Sequence, residues 1–262
     1  MNRFPEEFER IDFSGASGHW RGGVHRRLPE TAALSPEEFA DCCEAVICGR
    51  ADMLKDRPRI AAALCSGLFF KLYKLPGKVD QIKRRFRSGR AMHSLHAAQA
   101  LKLAEIPTPE VCAVLEYRTS GYIQDLLVTA ALPQSASTLD QCDECDGMFL
   151  SGKVIPVIVR MHQYGIAHGD LNLRNIYRDG EEIGLIDLDG TVITRHPLAL
   201  ALREKELARL VSGFCKKFPG GEIPVLLKLL VDSYQSISGV RCDFDRVAGR
   251  CDYLMTRSGC KR

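Results

Sequence analysis

The sequence predicts an α+β fold of two lobes, in which a small antiparallel sheet with one main helix is followed by a mainly helical lobe. Between residues 51 and 75, short apolar segments alternate with turn residues, which indicates successive antiparallel strands. Helical apolar spacing then runs from Val79 to Glu105. A polar linker, PQSASTLDQCDECDG, precedes a remainder with mainly helical patterns. This order of elements favours two lobes with a cleft between them.

Local signals bound the individual elements. Ser35-Pro36-Glu37-Glu38 predicts the start of a helix that runs to about Cys48. Further strands are predicted over IAAALCS, LFFKLYKL, VCAVLEY and GYIQDLLVTAAL, and the long helix should end before the prolines of IPTP. The glycines within residues 1–34 indicate a flexible arm. We therefore place an N-terminal extension at residues 1–49, the sheet lobe at 50–133 and the helical lobe at 134–262.

Composition bounds the class of protein. With 262 residues, of which 45% are hydrophobic and 26% charged, the chain can bury a substantial core. The formal net charge of +3 is too small to indicate a nucleic-acid partner. The opening MNRFPEEFER lacks the apolar run of a signal peptide, and no segment reaches the roughly 18 apolar residues of a membrane span. These features predict a cytoplasmic protein.

The cysteines do not indicate a disulfide framework. There are 11 of them, an odd number in a long chain without an export signal, so we expect most to be reduced thiols. Cys142 and Cys145 form a single C-x-x-C with no second ligand pair at zinc-finger spacing. We interpret them as ordinary loop thiols.

The most specific motif is HGDLNLRN, from His168 to Asn175. Phosphoryl transfer to a hydroxyl needs a carboxylate that accepts the hydroxyl proton and an amide oxygen that coordinates magnesium. Asp170 and Asn175 match these needs, at the spacing of the kinase catalytic loop H-x-D-L-x-x-x-N. The helical segment VIPVIVRMHQYGIA before the motif would position the loop. We expect His162 and His168 to pack and hydrogen-bond the backbone around it.

A second motif, IGLIDLDG, follows shortly after. An apolar strand with a carboxylate at its end can complete a magnesium site that bridges ATP phosphates. Asp187 is the predicted metal ligand because it directly follows the strand, and Asp189 is the alternative. The two motifs together predict ATP and Mg²⁺ as cofactors.

At these residues the chain resembles the lipopolysaccharide kinase family, bacterial enzymes that phosphorylate Kdo or heptose in the lipopolysaccharide inner core. HGDLNLRNIY followed by LIDLDG is similar to the catalytic signature of that family, and FFKLYKLPGKVDQIKRRFRSGRAMHSLHAAQALKLAEIPTPEV is similar to its N-lobe. The similarity extends over about residues 50 to 210. It implies a protein-kinase-like fold, ATP-dependent phosphorylation of a sugar hydroxyl, and a lipopolysaccharide core glycolipid as acceptor. Another acceptor, or a pseudokinase without catalysis, remains the alternative.

The resemblance implies that Lys71 is the strand lysine that contacts the ATP phosphates, with Lys74 as an alternative on the opposite face of the strand. Kinases generally pair this lysine with a helix glutamate, but no glutamate occurs between residues 79 and 104. Gln99 or Glu44 could replace it, or the lysine could lack such a partner. The loop KDRPRI, where kinases cover the phosphates, also lacks glycine.

Positive charge concentrates between Lys71 and Arg90. Asp80 is the one acidic residue in this stretch, against eight basic residues: Lys71, Lys74, Lys78, Lys83, Arg84, Arg85, Arg87 and Arg90. Such a patch attracts anionic membranes, at about 1 kcal/mol per basic residue close to the surface. We therefore expect an anionic membrane surface as a partner and peripheral attachment to the inner membrane.

Overall fold

A computed structural model describes residues 4–29, 34–75, 77, 89–119, 122–143, 145–218 and 223–257. The chain divides into two compact units. Unit 1 comprises Met1–Ala98 and Pro109–Leu132, and unit 2 comprises Gln99–Thr108 and Pro133–Arg262.

Unit 1 is built on an antiparallel sheet. Its described strands follow the spatial order β1-β2-β6-β7-β5-β4-β3. In chain order they are β1 (Phe8–Ser14), β2 (His19–His25), β3 (Asp52–Arg57), β4 (Ile60–Cys65), β5 (Leu68–Tyr73), β6 (Val111–Arg118) and β7 (Ile123–Ala130). The strands predicted over IAAALCS, LFFKLYKL, VCAVLEY and GYIQDLLVTAAL are confirmed.

Helix α1 (Pro36–Ile47) contributes to the hydrophobic core of this sheet. It begins at a capping box, in which Ser35 accepts from the N–H of Glu38 and the Glu38 side chain accepts from the N–H of Ser35. Its buried residues Phe39, Cys43 and Val46 share a core cluster with residues of the strands. The helix start predicted from Ser35-Pro36 is confirmed.

The prediction of a flexible N-terminal arm is wrong. β2 pairs with β6 from His19 opposite Arg118 to Val24 opposite Ala113, so this segment belongs to the sheet. A Cβ at Gly22 would lie 2.1 Å from the Val114 carbonyl oxygen, so only glycine permits this close approach. The glycines that suggested flexibility are therefore needed for strand packing.

A buried tryptophan ties the first hairpin to helix α1. Trp20 is fully buried, and its Nε1 donates to Glu44 Oε1 at 3.0 Å. The Ser17 hydroxyl donates to the other oxygen of this carboxylate. A disulfide joins Cys42 of α1 to Cys65 of β4. The free cysteines of the described residues are Cys43, Cys48, Cys112, Cys142, Cys145, Cys215, Cys242 and Cys251.

Helix α2 (Arg90–Leu103) is the described part of the predicted long helix. It ends before Pro107, as predicted. The earlier part of that prediction, from Val79 to residue 88, lies outside the described residues, and so do five of the eight basic residues of the predicted membrane patch.

Unit 2 is mainly helical. Its helices are α3 (Gly147–Phe149), α4 (Ile155–Gln163), α5 (Leu200–Lys217), α6 (Ile223–Ser238) and α7 (Phe244–Arg257), with a π-helical turn at Leu150–Val154. Its short strands are β8 (Ser137–Thr138), β9 (Ile166–Ala167), β10 (Ile176–Asp179), β11 (Glu182–Leu185) and β12 (Val192–Ile193). β10 pairs with β11 and β8, and β9 pairs with β12.

The predicted α+β class is confirmed, since unit 1 carries the antiparallel sheet and unit 2 is mostly helical. Among the helices of the described residues, none combines the length and apolar character that spanning a bilayer requires.

Candidate active site

The HGDLNLRN motif forms a loop between β9 and β10 in unit 2. Gly169 has φ +84°, and a Cβ there would lie 2.0 Å from the carbonyl oxygen of Gly190. Only glycine can therefore hold this part of the loop against the backbone of the second motif. A 3₁₀ turn, Leu173–Asn175, then delivers Asn175 to the start of β10.

The loop brings Asp170 and Asn175 together. The Asn175 Nδ2 donates to the Asp170 carbonyl oxygen at 2.8 Å and to the carboxylate Oδ2 at 3.3 Å. Asn172 Nδ2 also donates to the Asp170 carbonyl, at 3.0 Å, which fixes the backbone from a second side. With its nitrogen directed at Asp170, Asn175 has its amide oxygen Oδ1 as the atom that can coordinate a cation.

Asp187 follows β11 and is connected to the loop through its neighbour Ile186. The Ile186 N–H donates to the Asn175 carbonyl at 3.0 Å. The Ile186 carbonyl accepts from His168 Nε2 at 2.9 Å. Asp187 has φ +63°, a left-handed conformation that is uncommon for a residue other than glycine and often marks functional sites. Asp189 lies two residues further, within the 3₁₀ turn Leu188–Gly190.

Sequence reasoning missed Glu206 on α5, whose carboxylate holds the backbone of the loop. Oε2 accepts from the His168 N–H at 2.7 Å, and Oε1 accepts from the Gly169 N–H at 3.1 Å. The side chain is only 2% exposed. Burial raises the pKa of Glu206, while His168, these two hydrogen bonds and Arg209 oppose the rise. The sequence feature that could have identified Glu206 as a buried carboxylate was its position on the apolar face of α5, beside Leu207 and Leu210.

Both histidines of the region are buried, and the expected hydrogen bonds to the backbone around the loop are confirmed for His168 but wrong for His162. His168 donates from Nε2 to Ile186, and its Nδ1 lies 3.4 Å from the N–H of Asp170. His162 Nδ1 lies 2.9 Å from the hydroxyl of Tyr234, which accepts from Arg203 Nη1 at 3.1 Å. Burial and the Arg203 charge lower the pKa of His162 to about 3, so this histidine is neutral in the folded protein.

Among the described residues, no group of three or more His, Cys, Asp or Glu side chains could hold a metal ion. Magnesium in phosphoryl-transfer sites usually binds one or two carboxylates together with water and phosphate oxygens. One amide oxygen and one exposed carboxylate, those of Asn175 and Asp187, therefore fit magnesium bound with a nucleotide.

The C-x-x-C cysteines agree with the interpretation as loop thiols. Cys142 Sγ lies 3.5 Å from the Thr138 carbonyl, and burial raises the pKa of Cys145 to about 11.

Lys71 lies in unit 1, in the middle of β5, between Ala62 of β4 and Leu127 of β7. Its Nζ is 5.3 Å from the centroid of the Tyr73 ring. Lys74, the alternative, lies beyond the strand, and its ammonium pairs with Asp56.

The substitutes considered for the missing glutamate have different surroundings. The Glu44 carboxylate is engaged by Ser17 and Trp20, and Gln99 lies on α2. The Glu44 carboxylate therefore connects the first hairpin to α1.

Comparisons with known proteins identify the family and the fold of the chain. Residues 71–218 match the model of the Lipopolysaccharide kinase (Kdo/WaaP) family. A solved structure described as WaaP in complex with acyl carrier protein is similar with a TM-score of 0.55 and 17% identity, over 86% of this chain and 96% of that chain. One described as glucosamine kinase in complex with glucosamine, ADP and inorganic phosphate has a TM-score of 0.50 and 11% identity, over 98% and 89%. No curated protein sequence matches. The structural likeness confirms the predicted protein-kinase-like fold.

Replacing Glu206 with glutamine tests the loop anchor. The amide offers one acceptor oxygen, and its NH₂ group opposes the second backbone N–H, so the loop should shift. We expect Glu206→Gln to lower the rate of phosphoryl transfer about a hundredfold and the free energy of unfolding by ~1–3 kcal/mol. Glu182→Gln, at an exposed position of β11, is the matched control and should retain wild-type values. Wild-type turnover in Glu206→Gln would contradict this role.

The low pKa of His162 predicts acid sensitivity. Its pKa falls from the ordinary 6.5 to about 3, so within this window the unfolded chain binds more protons than the folded one. The free energy of unfolding should therefore fall as pH drops from 6.5 towards 3, with a slope of up to ~1.4 kcal/mol per pH unit from this residue. Denaturant titrations across this range should show a flatter slope for His162→Asn, whereas the exposed-site control His196→Asn should keep it. Identical slopes in all three proteins would refute the assignment.

Proposed function

The chain belongs to the lipopolysaccharide kinase (Kdo/WaaP) family, and from this premise we propose that it transfers the γ-phosphoryl group of ATP to a hydroxyl of Kdo or heptose in the lipopolysaccharide inner core. Membership makes the protein a phosphotransferase that acts on a hydroxyl and a sugar kinase of the lipopolysaccharide core. The donor, the metal, the acceptor sugar and the residue roles below are parts of the proposal. The observation that carries it is the contact between Asp170 and Asn175, in a loop anchored by Glu206.

Asp170 is the proposed catalytic base. Its side chain is exposed, so a sugar hydroxyl can reach the carboxylate. The carboxylate accepts the hydroxyl proton while the hydroxyl oxygen bonds to the γ-phosphorus and the bond to the leaving ADP oxygen breaks. The hydrogen bond from Asn175 Nδ2 to Oδ2 orients the carboxylate for this transfer. Glu206 would support this role, because it accepts the backbone N–H groups of His168 and Gly169 and so holds the loop in place.

Asn175 and Asp187 would hold magnesium, through the amide Oδ1 and the carboxylate respectively. Bound magnesium would neutralise charge on the phosphates of the nucleotide. The left-handed backbone at Asp187 and the hydrogen bonds of its neighbour Ile186 support the choice of Asp187 as the second ligand. Lys71 would contact the α- and β-phosphates, and its place within the strand β5 favours it over Lys74, which pairs with Asp56.

Peripheral attachment to the cytoplasmic face of the inner membrane is part of the proposal, because the acceptor is a glycolipid. An exposed segment of unit 2 supports it. Val192 and Ile193, 44% and 43% exposed, lie on β12 shortly after Asp187, followed by the exposed Arg195 and His196. No acidic residue occurs between residues 190 and 203. Apolar and basic side chains without carboxylates suit an anionic bilayer surface.

Substitutions in the site test the assigned roles. Asp170→Asn should lower phosphoryl transfer at least a thousandfold with nucleotide affinity retained, because it removes the base alone. Asp187→Asn should raise the magnesium concentration needed for ATP binding about tenfold or more. Transfer of labelled γ-phosphate to Kdo-lipid A and to heptosylated core acceptors, with ATP binding by calorimetry, measures both.

Asp189→Asn is the matched control for the metal ligand, and it should change the magnesium requirement less than Asp187→Asn does. A larger effect at Asp189 would transfer the ligand role to that residue. Full transfer by Asp170→Asn would refute the proposed base, and wild-type protein that phosphorylates neither acceptor would refute the proposed substrate.

Vesicle binding tests the membrane part. Val192→Ser/Ile193→Ser should weaken co-sedimentation with vesicles of phosphatidylglycerol and phosphatidylcholine about tenfold, because two apolar side chains no longer enter the interface. Val225→Ser, at a 59% exposed position of α6, is the control and should bind as wild type. Wild-type protein that stays in the supernatant would contradict membrane attachment, and unchanged sedimentation of the double variant would exclude this surface.

A further inference from the structure

Helix α2 lacks the group that kinases generally place opposite the strand lysine. Its sequence, RAMHSLHAAQALKL, contains neither glutamate nor aspartate. In other kinases a glutamate on this helix holds the lysine for ATP and couples the helix to the strand. Unit 1 contains a different connection between the helix and the sheet, which begins at a carboxylate on strand β7.

That carboxylate belongs to Asp125, which is only 2% exposed. Its Oδ2 accepts from the backbone N–H of Arg90, the first residue of α2, at 3.1 Å. A buried carboxylate requires hydrogen-bond donors, and the first turn of a helix supplies N–H groups and a favourable dipole. Asp125 therefore attaches the beginning of α2 to the sheet.

Gly89 makes this attachment possible. Its carbonyl accepts from the His93 N–H at 3.0 Å, in the first turn of the helix. A Cβ at Gly89 would lie 2.4 to 2.5 Å from the two carboxylate oxygens and the Cγ of Asp125. Any other residue at position 89 would displace the carboxylate. Asp125 and Gly89 therefore form the joint between the sheet and α2, a contact that a change at either residue would loosen.

Tyr73 connects this joint to Lys71. In the register of β5 with β7, Tyr73 lies opposite Asp125 and Lys71 lies opposite Leu127. Residues two apart on a strand share a face, so Lys71, Tyr73 and Asp125 lie on the same side of the sheet. The Tyr73 ring has Lys71 Nζ at 5.3 Å and the Arg90 guanidinium carbon at 4.8 Å from its centroid. One aromatic ring thus contacts both the strand lysine and the first residue of the helix.

We infer that Asp125 is a positioning residue for ATP binding, which acts through Tyr73 on Lys71 and takes over the task of the absent helix glutamate. The arrangement reverses the usual one, since the carboxylate lies on a strand and the helix donates its backbone N–H. This inference rests on the proposed contact of Lys71 with the ATP phosphates. It implies that loosening the joint at Asp125 or Gly89 weakens ATP binding only while Lys71 is present.

A double-mutant cycle on the full chain tests the inference through the Kd for Mg·ATP, measured by calorimetry. Asp125→Ala and Gly89→Ala should each raise this Kd about tenfold, and Lys71→Ala should do so as well. In Asp125→Ala/Lys71→Ala and Gly89→Ala/Lys71→Ala, the Kd should stay within about twofold of that of Lys71→Ala alone, because residues that act through one another are not additive.

Matched controls accompany the cycle. Asp125→Asn keeps an oxygen that can accept the Arg90 N–H, so it should restore most of the affinity lost in Asp125→Ala. Gly249→Ala, at a position of α7 where a Cβ meets nothing within 4 Å, and Lys74→Ala should bind Mg·ATP as wild type does. Thermal unfolding identifies variants that do not fold. If Asp125→Ala is one of them, the cycle with Gly89→Ala gives the answer.

The outcomes separate this inference from the proposed function. Wild-type affinity in both Asp125→Ala and Gly89→Ala, or losses that multiply with that of Lys71→Ala, would show a structural helix cap and overturn the inference alone. Wild-type protein that binds Mg·ATP but phosphorylates no lipopolysaccharide acceptor would overturn the proposed function while the cycle still decides the role of Asp125. Wild-type protein that does not bind Mg·ATP would overturn both.

Discussion

The candidate active site depends on a carboxylate that is almost completely removed from water. Burying a charged group costs several kcal/mol unless it is hydrogen-bonded. Glu206 meets this condition by accepting from the consecutive N–H groups of His168 and Gly169. Because each oxygen takes one N–H group, the loop backbone has a single favourable position. Burial raises the pKa of Glu206, and its two N–H donors, His168 and Arg209 oppose this rise.

Further hydrogen bonds connect the anchored loop backbone to the side chains that would perform the chemistry. His168 donates to Ile186, which donates to Asn175, whose amide donates to Asp170. The proposed base and Asn175 therefore belong to one hydrogen-bonded network, and the second proposed metal ligand, Asp187, directly follows Ile186 of that network in the chain. Gly169 packs against Gly190 beside this network. A buried network of this kind is rigid because every displacement leaves a donor or acceptor unpaired. In unit 1, Asp125 holds the first turn of α2 by the same means, a buried carboxylate that accepts a backbone N–H.

Site residues that lie within one short motif could be predicted from the sequence. Residues that join the site only through long-range contacts could not. The contact of Asp170 with Asn175 could be predicted because both lie in one short loop of recognisable spacing. Glu206 and Asp125 contact residues 38 and 35 positions away, and a single acid in a helix or strand has no motif. The first two strands were missed because glycine weakens isolated strands, whereas Gly22 is required once β6 lies beside it. The positions of Glu206 and Asp125 among apolar neighbours were the available signals.

The most direct measurement of the central claim is amide hydrogen exchange of His168 and Gly169 in the protein without ligands, resolved by NMR. If Glu206 holds the loop, these two amides should exchange slowly in wild type and much faster in a Glu206→Ala protein that remains folded, while the amides of β10 and β11 retain their protection. Fast exchange of His168 and Gly169 in wild type, or equal protection in the variant, would show that the loop is ordered without Glu206 and would contradict this account.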